Sequence, residues 1–191
     1  MPFRRGAALG AATVLLAALS AATATGATGT AKTPSSKEPA KKAPPVTKSK
    51  ALWATVDVCS PKNQPDTIGI RASMPGDGKK GQEMYMQFRV QYEDTTTGQW
   101  LNSTQADSGY VKIGPATDKA LEGGRSFVFK PAAGQTYVLR GAVGFEWRQG
   151  GKVDVMAHVH TLAGHASPVG SDPRNYSAAS CTIGSTTSSS G

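Results

Sequence analysis

Two histidines, His158 and His160, are the residues of this chain whose type and spacing could do chemistry most directly. Alternate residues of an extended strand share a face, so both rings stand on one side with their backbones about 7 Å apart. Asp154 and Met156 fall on the same side. An imidazole pair can chelate copper or zinc, with His165 or Met156 as further ligands. Spacing settles only two ligands, short of a tetrahedral set, so the residues read as a solvated strand face and imply no metal or other cofactor. Trp100 lies beside a polar turn and is the tryptophan best placed to stack on a ligand such as a sugar ring. Trp53 and Trp147 read as residues of the core or its edge.

The chain has two cysteines, Cys59 and Cys181, with none left over. There is no C-x-x-C spacing, so a reactive thiol pair or a metal pair is disfavoured against a disulfide. Closing so long a loop is worth about 5 kcal/mol in the chain-entropy picture. No G-x-S-x-G elbow and no glycine-rich phosphate loop appears. Asp107 and Asp118 read as loop residues with nothing to pair them for glycoside chemistry. The triplets Asn102-Ser-Thr and Asn175-Tyr-Ser match the glycosylation pattern but carry little weight beside a bacterial-looking leader. The chain therefore reads as a non-enzyme.

These residues need strands to hold them. At 84–92, Met84, Met86, Phe88, Val90 and Tyr92 alternate with Tyr85, Gln87, Arg89 and Gln91, the two-residue period of a strand with one buried face. Over 137–147, Tyr137, Leu139, Val143, Phe145 and Trp147 repeat the pattern. Similar alternation appears at 52–59 (Leu52, Ala54, Val56, Val58 inward), at 67–74 and at 152–162 (Val153, Val155, Ala157, Val159 inward). Shorter strands are expected at 99–102, 110–113, 125–130 and around 176–183. A bare two-residue turn at Gly150-Gly151 would pair inward Trp147 with outward Asp154, so the hairpin must be longer or bulged. In either allowed register the histidines lie opposite small residues, Ala142 and Gly144, or with Arg140 in place of Gly144. Short strands, Gly/Pro turns and no helical pattern give an all-β antiparallel sandwich over 51–184 with a frayed tail at 185–191.

The first residues fit export. Arg4 and Arg5 precede an apolar run over 7–19 and the small-residue site Ala22-Thr23-Ala24, which makes 1–24 a signal peptide. The run is too short for a comfortable membrane span. Segment 25–50, rich in Ala, Thr, Pro and Lys, reads as a disordered spacer. The chain carries +8; removing +2 for the leader and +5 for the spacer leaves the folded part near +1. That argues against a nucleic-acid-binding domain and fits a secreted, extracellular monomer. The lysines of the spacer suit an anionic envelope polymer.

The stretch 129–139 places Pro131 and Gly134 before Tyr137, which begins an alternating strand. It resembles the corner before strand F of fibronectin type III and other immunoglobulin-like domains. That resemblance implies an immunoglobulin-like sandwich in which the tyrosine hydroxyl closes on nearby backbone. The cysteines sit near the domain ends, unlike the strand B and F pair of antibody domains. The whole is similar to secreted immunoglobulin-like proteins of high-GC Gram-positive bacteria, a likeness that implies no activity. The expected function is a secreted, non-catalytic immunoglobulin-like binding or structural module of the envelope or medium, with an unknown protein or envelope polymer as partner. The alternatives are an extracytoplasmic copper or zinc protein using His158 and His160, and a small secreted hydrolase.

Overall fold

In the computed structural model, residues 45–184 are described. The leader, most of the spacer and the tail lie outside them. Among the described residues every regular element is a strand apart from one 3-10 turn, Val46–Lys48. No helix there is long and apolar enough to cross a membrane. The turn brings Val46 against the core, so packed structure begins about five residues ahead of Ala51.

Eight strands form two antiparallel sheets. They are β1 (Trp53–Cys59), β2 (Thr67–Met74), β3 (Gln82–Asp94), β4 (Gln99–Pro115), β5 (Leu121–Val128), β6 (Thr136–Gln149), β7 (Lys152–His160) and β8 (Cys181–Gly184). The small sheet runs β1-β2-β5; the large one runs β4-β3-β6-β7, with β8 paired to the first residues of β6. Both inner faces are apolar. Ile68, Ile70, Ala72 and Met74 of β2 meet Met84, Met86, Phe88 and Val90 of β3 and Leu139, Val143, Phe145 and Trp147 of β6. Trp147 is fully buried, and its indole donates to the Pro75 carbonyl at 2.9 Å, which removes the cost of an unpaired buried N–H.

Bulges decide which side chains face where. In β1 the register slips between Val56 and Val58, so Val56 pairs with inward Ile70 while Val58 pairs with Gly69. Val58 therefore leaves the inward row predicted for it. The slip also turns Cys59 inward, opposite Ile68, where it meets Cys181 at the start of β8. The two form the predicted disulfide, with Cα atoms 5.4 Å apart. The β6–β7 hairpin does turn on two residues, Gly150 and Gly151, both at positive φ, as a tight hairpin with this twist requires. The predicted bulge falls inside the strand: Arg148 pairs with Val153 and Trp147 with Val155. Val153, expected inward, is consequently exposed, while Val155 faces in.

Other boundaries moved. The two short strands expected at 99–102 and 110–113 are one seventeen-residue strand, β4. Asp107 lies within it, held by Gln87 Nε2, and is no loop residue. β5 starts at Leu121, ahead of the predicted 125, because Gly123 and Gly124 hide its alternation. Tyr137 does begin β6, but its hydroxyl donates to the Gln135 side chain at 2.9 Å instead of to backbone.

The segment after β7 covers part of the outer face of the small sheet; β5 stays exposed there, and a cavity of about 670 Å³ lies between β5 and the residues Val169 and Gly170. Arg71 of β2 is buried there. It pairs with Asp57 at 3.6 Å and Glu122 at 2.9 Å and donates to the His165 carbonyl. The His165 ring stacks on Trp53 at 4.2 Å between centroids. Burial pushes the Asp57 carboxyl up, against the pull of Arg71.

Candidate functional site

The outer face of the large sheet collects the residues singled out in the sequence. Trp100 comes from β4, Gln91 from β3, Arg140 from β6 and His160 from β7. Register places them side by side: Trp100 pairs with Glu93, Gln91 with Arg140, and Ala142 with His160. Arg140 is the hub. Its guanidinium lies 4.2 Å over the Trp100 ring, its Nε donates to Gln91 Oε1 at 2.9 Å, and its Nη2 is 3.4 Å from His160 Nε2. Gln91 in turn donates to Asn102 Oδ1 at 2.9 Å. The histidines stand opposite Ala142 and Gly144, one of the two registers open from sequence, and both are exposed.

A second group lies beside the first. Tyr110 from β4 reaches across β3 and sets its hydroxyl over Gly144, 2.9 Å from where a Cβ would stand, so a larger residue at 144 would push it off. Arg148 sits between the Tyr85 and Tyr110 rings, at 4.1 and 5.2 Å, and pairs with Glu146 at 2.6 Å. Lys112 and Glu83 pair at the edge. The middle of the face is thus low, floored by Ala142 and Gly144, with rings, guanidiniums and imidazoles around it.

Its electrostatics favour an oxyanion over a metal ion. Arg140 and Arg89 have no carboxylate within ion-pair distance among the described residues, although the Glu93 charge acts on Arg140 and partly counters the effect of burial. Arg89 Nε is buried without a hydrogen-bond partner. Burial, then the Arg140 charge, then His158 hold His160 below the usual imidazole range. Its neutral ring is a potential ligand, but a cation approaching Nε2 meets the guanidinium. His165, offered as a third ligand, belongs to the other sheet, stacked on Trp53. No group of three or more His, Cys, Asp or Glu among the described residues could hold a metal. Burial and then the Glu146 carboxylate push the Tyr110 hydroxyl up, so it stays a donor at neutral pH.

Trp100 is half-buried, with one ring face already taken by Arg140, and is less open than its place by a turn suggested. Sequence reasoning did not single out Arg140, Gln91 or Tyr110 as site residues. Alternation put Gln91 outward, but only the lateral register brings it to Arg140 and Trp100. No protein-family model matches the chain, and no curated protein matches it.

Proposed function

We propose that the chain is a secreted, non-catalytic immunoglobulin-like module that binds an anionic polymer of the cell envelope across the outer face of its large sheet. The strand order supports the immunoglobulin-like reading. β1, β2 and β5 take the places of strands A, B and E, and β3, β6 and β7 those of C, F and G, with β4 beside C. On that reading Tyr137 opens strand F, with its hydroxyl on the Gln135 side chain in place of backbone.

The observation that carries the binding reading is the line Trp100–Arg140–His160. It offers a ring face, a guanidinium that no carboxylate of the described residues pairs directly, and a neutral imidazole over a floor of small residues. An arginine fork is the group of choice for oxyanion recognition. The lysines of 25–50 add a screened, long-range attraction of the same sign. The test is cosedimentation of the full exported chain with purified envelope at low and high salt. Arg140→Ala and Trp100→Ala each weaken retention by about tenfold, equivalent to about 1.4 kcal/mol. Undiminished retention in both variants defeats the reading.

A further inference from the structure

A cavity lies where β4 breaks its pairing with β3. The ladder advances from Arg89↔Asp107 to Gln91↔Asn102, two residues on β3 against five on β4. The extra residues swing outward and leave a cleft of about 400 Å³ at one end of the sandwich. Such bulges re-aim side chains and cluster beside binding sites.

The two walls of the cleft differ. One is aromatic: Tyr92 at the end of β3, Phe129 after β5 and Tyr137 at the start of β6, all half-buried. The rings pack edge to face, Tyr137 against Tyr92 at 6.3 Å and against Phe129 at 6.0 Å, which fixes their positions before any ligand arrives. The other wall is polar and carries no carboxylate. Asn102, Thr104 and Gln105 offer amide and hydroxyl groups, and Lys130 adds one ammonium at the rim. Tyr137 donates its proton to Gln135, so its oxygen keeps lone pairs for an incoming donor.

We propose that this cleft binds one pyranose ring of an oligosaccharide. A pyranose has a C–H face, which packs on the negative face of an aromatic ring, and a rim of hydroxyls, which both donate and accept. A hydrocarbon would strip water from the amides without replacing their hydrogen bonds. A small anion would find only Lys130. The volume lies near the lower end of the range for small-molecule sites, about 300–1,000 Å³. The cleft adjoins the outer-face site through the Arg140–Gln91–Asn102 hydrogen bonds, but none of its three rings takes part in the Trp100–Arg140–His160 line, so variants of the rings and of Arg140 separate the two.

The experiment is an amide-shift titration of the isotopically labelled exported chain with chitotetraose, cellotetraose and maltotetraose. At least one of them shifts the amides of 102–105 and 129–137 saturably, with half-saturation near about 1 mM, as suits one ring. Gln105→Ala, an exposed change that leaves the fold intact, weakens that binding about fivefold, the loss of one hydrogen bond. Tyr137→Ala abolishes it, while Trp100→Ala leaves it unchanged. No saturable shift from any of the three sugars overturns the proposal. So do shifts that Gln105→Ala and Tyr137→Ala leave intact. Envelope retention that fails in the outer-face variants while these shifts persist separates the two sites.

Discussion

A guanidinium 3.4 Å from His160 Nε2 competes with any other cation for that nitrogen. The pair His158 and His160 looks like the beginning of a metal site in sequence because spacing shows the rings and not the neighbour on the next strand. The same neighbour sets the ring's protonation. Burial and Arg140 hold His160 below the usual imidazole range, so Arg140→Gln raises its pKa toward the ordinary value, about 6.5. A proton-resolved titration of the ring checks this, and an unmoved pKa removes Arg140 as a cause. A linked stability effect follows. His160 and His165 both have depressed folded-state values, so the unfolded chain binds more protons as pH drops below the ordinary value. Their contribution is present at about pH 7.5 and is lost as pH falls from about 6.5 through the folded values. Replacing both histidines by asparagine flattens that part of the denaturation profile between about pH 7.5 and 5.5.

Among the elements, legibility followed alternation. β2 was read to the residue because Ile68, Ile70, Ala72 and Met74 repeat without interruption and a turn precedes them. β4 was not, because its sequence around Asn102 to Asp107 is polar on both faces and Ala106 alone is buried there. An edge strand with three register slips has no reason to keep a strict period. The hairpin after β6 shows the opposite case. Inward Trp147 and an outward Asp three residues past a Gly-Gly turn cannot face each other, so the sequence requires a hairpin that is either longer or bulged. The turn itself is tight. Gly150 and Gly151 sit at φ values of 57° and 80°, which a Cβ disfavours. Gly151→Ala is expected to lower unfolding stability by about 1 kcal/mol without changing the denaturant slope. A neutral substitution would mean that the turn relaxes freely and does not set the register that places His158 over Gly144.

At the scale of the molecule, two ties hold the sheets in place around the apolar core. The disulfide joins the end of β1 to β8, 122 residues later. Its reduction is expected to lower stability by about 5 kcal/mol, measured by denaturant unfolding with and without reductant. The buried Arg71 cluster fastens the segment after β7 to the small sheet through Asp57, Glu122 and the His165 carbonyl. The sequence revealed the first tie, since two cysteines leave one pairing, but not the second, which depends on a loop folding back over a sheet face. The segment after β7 covers only part of the small sheet, and the proposed polymer site lies on the outer face of the large sheet. The most direct measurement of that claim is an amide-shift map of the labelled chain titrated with soluble fragments of purified anionic envelope polymer. The account predicts saturable shifts centred on Trp100, Gln91, Arg140, His158 and His160, with Thr55, Arg71 and His165 unmoved. Shifts centred on the small sheet, or none up to millimolar fragment, would contradict it.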